Sequence, residues 1–313
     1  MTTNRKRLLS IALLAGLTLM VTACDDLEGF HRESEPFHYS HALEPGGHMS
    51  LETGNGSIEI SGWDRNELEI SGEKFAPSKE GLSRVKVQIQ VDGGNVSIRT
   101  VRPTGMSNGS YGAEYHIHVP KSISLDPVET TNGGIDIADL TGPGHVKSTN
   151  GHIVLSRVDG DYRAETTNGA IDMRDLNGVV RAHTTNGHIR GDLKTGAVTA
   201  DTTNGGVDLK IDKPQAGEAL RVGSTNGGIR LELAQFNNNA IRAQTTNGGI
   251  TLRIPEQTSA ALRAENTTAG IQSDFQLSQT EDQSKHHLFG RLGSGGPLIE
   301  LKTSTGGIHI ERY

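Results

Sequence analysis

The sequence repeats one four-residue motif at nearly constant intervals. Thr-Thr-Asn-Gly begins at Thr130, Thr166, Thr184, Thr202 and Thr245, and Ser-Thr-Asn-Gly begins at Ser148 and Ser224. The motif asparagines, spaced 18 to 22 residues apart, are Asn132, Asn150, Asn168, Asn186, Asn204, Asn226 and Asn247. A strand, crossover helix and second strand need about 30 residues, so they do not fit in this interval. Each interval therefore predicts one small β unit of a repeat protein.

The composition is typical of an all-β array. The chain of 313 residues contains 40 glycines, and only 4% of its residues are aromatic, which indicates many turns around a thin core. No segment after residue 24 shows sustained helical periodicity. Because a solenoid grows by adding coils, we expect one elongated body and no second core.

Alignment of the motifs reveals columns of apolar residues. The first column contains Ile135, Ile153, Ile171, Ile189, Val207, Ile229, Ile250, Ile271 and Ile308. A second column, nine residues earlier in each unit, contains Tyr162, Val180, Val198, Leu220, Ile241, Leu262 and Ile299. In each column the residue two positions later is again mostly apolar, as expected for one face of a strand. The pattern predicts two strands per coil facing one narrow core.

Two topologies fit these columns. Asn-Gly favours a type I′ hairpin turn, which would give an antiparallel meander, whereas stacked coils would give a parallel β-solenoid. We favour the parallel solenoid, with coils of roughly 18–22 residues. Stacking at about 4.8 Å lets the seven motif asparagines form a structural ladder of side-chain amides and lets the threonine methyls and hydroxyls stack, which explains why Thr-Thr repeats together with Asn-Gly.

The repeat divides the mature chain into two parts. Residues 35–125 contain alternating β patterns and an early, imperfect Asn55-Gly56 copy of the motif, so we predict an irregular N-terminal β layer or cap there. Residues 126–313 are predicted to form the Thr-Asn-Gly repeat solenoid. Terminal repeats often depart from consensus because they must cover the open end of the core.

The first residues resemble a bacterial lipoprotein signal. Three basic residues at positions 5–7 precede an uncharged apolar stretch, and Val-Thr-Ala-Cys ends at Cys24, the only cysteine. We predict a signal peptide over residues 1–23, lipidation of Cys24 and a lipidated tether over residues 24–34; an ordinary secretory signal is the alternative. The expected location is the bacterial cell envelope, outside the cytoplasm, with a lipid anchor to the membrane.

Cleavage before Cys24 would leave an acidic protein. The whole chain has a net charge of −7, and residues 1–23 carry three basic and no acidic side chains, so the mature charge is about −10. Nucleic acid is therefore not an expected partner. Asp25 and Asp26 resemble the inner-membrane retention signal of enterobacterial lipoproteins, which bears on the choice between the two membranes.

Several segments together resemble a known family. Residues 54–64 (GNGSIEISGWD), the Val119-Pro120 strand end and the serial Thr-Asn-Gly-X-Ile units are similar to the DUF4097 family of adhesin-like proteins. The resemblance covers about residues 35–313. It implies a β-helical envelope protein, in some Gram-positive relatives associated with cell-envelope stress responses, and it carries no catalytic signature.

The motifs of common enzyme and metal sites are missing from the sequence. There is no zincin motif, nucleophile elbow, P-loop or dinucleotide fingerprint, so we expect no catalytic residues and no cofactor. His116 and His118 share one strand face and could bind a metal, but ordinary strand positions are the favoured interpretation. Calcium is not expected either, because the turns offer neutral Thr, Asn and Gly where calcium-binding coils need aspartate.

The outward face of the second strand offers a candidate binding surface. Basic residues recur eight positions before the isoleucine column, and the candidate ligand-binding residues are Arg221, Arg242 and Arg263. Gly223 and Gln244 lie beside the first two arginines, so we expect this patch to be the least neutralised. The face could bind an envelope glycan or protein, although a self-neutralised surface is the simpler interpretation.

Three functions from different classes fit this sequence. The leading one is a noncatalytic envelope lipoprotein that serves as an adhesin-like binding or scaffolding module. The second is an envelope-stress or structural accessory that binds partner proteins. The third is a polysaccharide-active β-helix enzyme, which short coils without long converging loops disfavour.

Overall fold

The computed structural model describes residues 32–102 and 111–313. The predicted signal peptide and Cys24 lie outside the described residues. Strands account for most of the described chain, and the helix found there, α1 (Lys79–Arg84), is far too short to cross a lipid bilayer. The predicted all-β class is confirmed.

The N-terminal part contains nine strands. They are β1 (Glu33–Ala42), β2 (Gly47–Asn55), β3 (Ile58–Trp63), β4 (Glu67–Ala76), β5 (Lys86–Asp92), β6 (Asn95–Val101), β7 (Gly112–Pro120), β8 (Ile123–Asn132) and β9 (Ile135–Ala138). The pair β2 and β3 already forms a regular coil, since both strands run parallel to the next coil, β8 and β9. Antiparallel pairs β1–β4, β4–β7 and β5–β6 surround this coil.

The central part contains the regular coils. Its strands are β10 (Gly144–Asn150), β11 (Ile153–Ser156), β12 (Tyr162–Asn168), β13 (Ile171–Asn186), β14 (Ile189–Asn204), β15 (Val207–Pro214), β16 (Leu220–Asn226), β17 (Ile229–Leu233), β18 (Ile241–Asn247) and β19 (Ile250–Ile254). Every pairing between these coils is parallel, with Ile153 beside both Ile135 and Ile171. The parallel β-solenoid is confirmed, and the antiparallel meander is wrong for the repeat.

The C-terminal part contains β20 (Ala260–Asn266), β21 (Ile271–Ser273), β22 (Gln279–Gln283), β23 (His287–Leu292), β24 (Leu298–Thr305) and β25 (Ile308–Arg312). Here the coils do not stack in sequence order. Strand β24 lies between β18 and β20, and β25 lies between β19 and β21. The last coil in sequence is thus inserted between two earlier coils.

The apolar columns form the core between the two sheet faces. Tyr162, Ile171 and Leu220 are at most 1% exposed, as are Ile250 and Ile308. In coil strands such as β12 and β18, buried side chains alternate with more exposed ones. The sequence pattern therefore located the core, because a strand reverses its side chains at every residue, although Ile271 of the predicted column is only half-buried.

The Asn-Gly turns hold neighbouring coils together. From Asn150 to Asn247, each motif asparagine donates from Nδ2 to Oδ1 of the preceding asparagine at 2.7–2.9 Å, and Asn132 donates to Asn55 at 2.6 Å. Motif threonines such as Thr166 donate to a turn carbonyl of the previous coil, here Gly151 O at 2.9 Å. The side-chain ladder therefore joins eight consecutive asparagines.

The first motif glycine distinguishes the inserted coil from the terminal coil beside it. A Cβ on Gly248 would meet the carbonyl of Gly227, and a Cβ on Gly306 would meet that of Gly248, so this position excludes a side chain where coils stack regularly. Residues 303–308 (TSTGGI) keep the glycine, whereas the β20–β21 turn has Ala269 there. In that turn Asn266 Oδ1 instead accepts from the backbone N–H groups of Thr268 and Ala269 at 2.9 Å.

Engineered disulfides can test the inserted coil. Gln244 is paired with Lys302, and Lys302 with Glu265, so the first and last are two strands apart. In a Cys24→Ser background, Gln244→Cys with Lys302→Cys should oxidise readily, because adjacent strands lie within disulfide range. Gln244→Cys with Glu265→Cys should stay reduced at about 9.6 Å. Mass spectrometry of peptides would detect the disulfide in either variant. The opposite pattern would show that the coils stack in sequence order.

Candidate functional site

The outward basic residues form a continuous row across adjacent strands. We define the basic stripe as His145, Arg163, Arg181, Thr199, Arg221 and Arg242, one from each of β10, β12, β13, β14, β16 and β18. Adjacent members are separated by one strand spacing of about 4.8 Å. Because buried residues precede and follow each position, the sheet holds these side chains on one rigid surface.

Acidic neighbours neutralise part of the basic stripe. Arg163 donates to Glu165 at 2.6 Å, and Arg242 Nε lies 3.3 Å from Glu300. The expectation that Arg242 lacks an acidic neighbour is wrong, because the inserted β24 brings Glu300 beside it. Among the described residues, Arg181 and Arg221 have no ion-pair partner.

Arg263 lies outside the basic stripe. Sequence order would place it next to Arg242, but Glu300 on β24 occupies the position between them. Arg263 also donates to Glu265 at 2.8 Å, and Lys302 lies 3.3 Å from the same carboxylate. Of the three candidate arginines, only Arg221 therefore remains in the row with its charge unpaired in the described chain.

The paired acids remain ionised beside their arginines. The hydrogen bond from Arg163 lowers the pKa of Glu165, and the hydrogen bond from Arg263 lowers the pKa of Glu265. Glu165 is also 3.3 Å from His145 Nε2. These acids already have cationic partners, so a bound anion would find its best charge complement at Arg181 and Arg221.

A groove opens beside the first part of the basic stripe. It has a volume of about 420 Å³, and its lining includes Asp126, Pro143, His145, Tyr162 and Arg181. Asp126 lies 3.9 Å from His145 Nδ1. Sequence analysis did not predict this groove, because its walls come from loops and strands of several coils.

Tyr162 contributes an unusual buried hydroxyl to this region. The residue is 1% exposed, and its hydroxyl has no hydrogen-bond partner among the described residues. Burial raises its pKa, so the phenol stays protonated. Sequence analysis placed Tyr162 in the core column, and only its size among smaller aliphatic residues marked it as different.

His116 and His118 each have a polar partner on a neighbouring strand. His116 lies 2.8 Å from Glu59, while His118 is 2.7 Å from the Ser61 hydroxyl and stacks on Trp63. No group of three or more His, Cys, Asp or Glu side chains suited to a metal occurs in residues 32–102 and 111–313. These histidines have ordinary neighbouring partners on the sheet surface.

The repeat region also matches a family of known sequences. Residues 193–311 match the Toastrack DUF4097 family model. The resemblance to DUF4097 is confirmed over these residues, where the coils and the inserted strands β24 and β25 lie. No curated protein matches the sequence.

Three solved structures match this chain at low sequence identity. One is a putative cell adhesion protein from Clostridium sporogenes ATCC 15579, with 14% identity, 89% of this chain and 100% of that chain covered, and a TM-score of 0.24. The others are putative adhesins from Bacteroides fragilis NCTC 9343 and Parabacteroides distasonis ATCC 8503, with 12% and 8% identity and TM-scores of 0.42 and 0.43. Both cover 89% of this chain and 97% of their own.

Two buried tyrosines should respond differently to loss of the hydroxyl. Tyr115 pairs with the Thr100 hydroxyl at 2.6 Å, and burial raises its pKa to about 12, whereas the Tyr162 hydroxyl has no partner in the described chain. Tyr115→Phe should lower the free energy of unfolding by about 1 kcal/mol, and Tyr162→Phe should leave it unchanged or raise it. Urea unfolding measures both. An equal loss in the two variants would show that Tyr162 has a partner.

Proposed function

We propose that this chain is a noncatalytic, lipid-anchored module of the bacterial cell envelope that binds an anionic polymer along the basic stripe. The observation that carries the proposal is the pair Arg181 and Arg221, whose charges are unpaired in the described residues. They lie on strands separated only by Thr199 on β14. Their backbones are therefore about 10 Å apart, which suits a chain with anionic groups at regular intervals.

The scaffold favours binding with little loss of conformational freedom. Each stripe residue lies on a strand hydrogen-bonded to two neighbours, and its flanking side chains Val180, Ala182, Leu220 and Val222 are buried. A preorganised surface reduces the entropy that binding must overcome. A linear ligand can thus contact several coils without any rearrangement of the backbone.

The groups around the groove are better suited to binding a ligand than to catalysing a reaction. Asp161 accepts a hydrogen bond from the backbone N–H of Val179 at 3.0 Å, and Glu165 is paired with Arg163. Both carboxylates therefore already accept hydrogen bonds from groups of the fold. This arrangement favours the binding module over the polysaccharide-active enzyme.

The lipid anchor is supported by the sequence before the folded body. The Val-Thr-Ala-Cys motif ending at Cys24 precedes strand β1, which begins at Glu33. A short tether would keep the solenoid close to the membrane surface. This location would bring the basic stripe near polymers of the envelope.

Replacement of the lipidated residue should release the protein. With Cys24→Ser, the chain should move from the detergent phase to the aqueous phase on Triton X-114 partitioning and should lose incorporation of a labelled fatty acid. The Asp26→Asn variant keeps the cysteine and serves as the control, with unchanged partitioning. Retention of Cys24→Ser in the detergent phase would contradict the anchor.

Substitution of the unpaired arginines should weaken polymer binding. Arg181→Gln with Arg221→Gln removes two charges from the stripe, and we expect about three- to tenfold weaker binding to a responsive anionic glycan. Binding of the purified chain to an array of envelope polymers, followed by titration at two salt concentrations, measures the effect.

A double variant of paired arginines provides the matched control. Arg242→Gln with Arg263→Gln changes the net charge equally but removes arginines held by Glu300 and Glu265. It should bind nearly as well as the unmodified chain. Equal losses of binding in both double variants would show that net charge alone causes the effect. An array on which no polymer binds would favour protein partners.

A further inference from the structure

Strand β5 forms one end of the stacked sheet. Its hydrogen-bonded neighbour is β6 on one side, and no other strand of the described chain pairs with it. Its side chains alternate, with Val87, Ile89 and Val91 half-buried against the core and the residues between them exposed. A strand edge of this kind offers free peptide groups for pairing with another chain.

The β5–β6 hairpin fixes which peptide groups are free. Only Gly93 and Gly94 separate Asp92 from Asn95, so these two flanking residues form a hydrogen-bonded pair. Because such pairs alternate along an antiparallel ladder, Gln90, Gln88 and Lys86 also bond toward β6. The N–H and C=O groups of Val87, Ile89 and Val91 therefore point away from the sheet.

The sequence of β5 is complementary to itself when reversed. Residues 86–92 read KVQIQVD, so an antiparallel pair centred on Ile89 places Lys86 opposite Asp92 of a second copy. The same register places valine opposite valine and glutamine opposite glutamine. It also aligns the free peptide groups of the odd-numbered residues, since Val87 lies opposite Val91 of the second copy and Ile89 lies opposite Ile89 of the second copy.

The charges at the ends of β5 are available for this contact. Lys86 and Asp92 are exposed and form no ion pair among the described residues. Six residues of extended strand keep them about 20 Å apart within one chain, so they cannot pair with each other. A second copy would supply the opposite charge at both ends.

Other strand edges lack this complementarity. Strand β1 carries Pro36, which has no N–H to donate. Strand β22 is fully exposed, and a symmetric pair would place Glu281 opposite Glu281. The proline and the like-charge pair disfavour pairing at β1 and at β22, whereas β5 has neither feature.

We propose that two copies of this chain associate through antiparallel pairing of their β5 strands across a two-fold axis at Ile89. The valine and isoleucine side chains then continue one apolar face from copy to copy. Both copies contribute the same surface, as a closed two-fold interface requires. The association is independent of the polymer-binding function proposed above.

Charge reversal at the two ends of β5 tests the register. Lys86→Glu alone, or Asp92→Lys alone, turns both predicted ion pairs into like-charge contacts, and dimerisation should weaken about tenfold. Combining the two substitutions restores opposite charges and should recover the dimer. Sedimentation equilibrium of the full chain in a mild detergent, with the detergent density-matched, gives the dissociation constants.

Two substitutions at Ile89 test the axis itself. Ile89→Pro removes an outward N–H without removing a hydrogen bond to β6, so the monomer should fold and the dimer should be lost. Ile89→Cys should form a disulfide dimer on mild oxidation in membranes, because paired residues across the axis lie within disulfide range. Thr280→Cys on β22, and the unmodified chain with Cys24, are the controls and should not cross-link.

The outcomes separate the proposal from other modes of association. Loss of the dimer in each single charge variant, recovery in the combined variant and cross-linking at position 89 would support β5 pairing. A strictly monomeric unmodified chain would overturn it. A dimer indifferent to these substitutions, or growth into larger assemblies cross-linked at position 280, would also overturn it by placing the contact elsewhere.

Discussion

The close approach of successive coils at the Asn-Gly turn is the constraint on which the structure depends. The first motif glycine lies so near the previous coil that a Cβ at Gly187 would meet the carbonyl of Gly169, and the same holds for Gly205 and Gly187. This contact lets the backbone of one turn follow the backbone of the next. The asparagine amides can then join end to end, at 2.8 Å between Asn186 and Asn168, and the strands on both sides keep one register.

The fixed register has two consequences for the surface. Equivalent residues of successive coils become neighbours, so a basic residue repeated at one position becomes a basic stripe. Acids repeated two residues further along the strand become its counter-charges, as Glu165 does for Arg163. Departures from the repeat then determine where charge stays unpaired, which is why Arg181 beside His183 and Arg221 beside Gly223 differ from their neighbours.

The ends of the solenoid follow different rules from its middle. At the C-terminal end, Ala269 replaces the first motif glycine, and the coil of β24 and β25, which retains Gly306, occupies the regular position. The inserted coil places Glu300 next to Arg242 and separates Arg242 from Arg263. At the N-terminal end, the β5–β6 hairpin leaves an edge whose peptide groups and charges match a second copy of itself.

The sequence by itself determined the all-β class, the buried columns and the position of the asparagine turns, and it favoured parallel coils over an antiparallel meander. These follow from local periodicity, because a strand alternates its side chains and a stacked coil repeats its turn at a fixed interval. Only the tertiary structure decided the order of the terminal coils, the Arg242–Glu300 contact and the groove beside Tyr162. Those features join residues far apart in the chain, and periodicity within one coil contains no information about which distant strand will lie beside it.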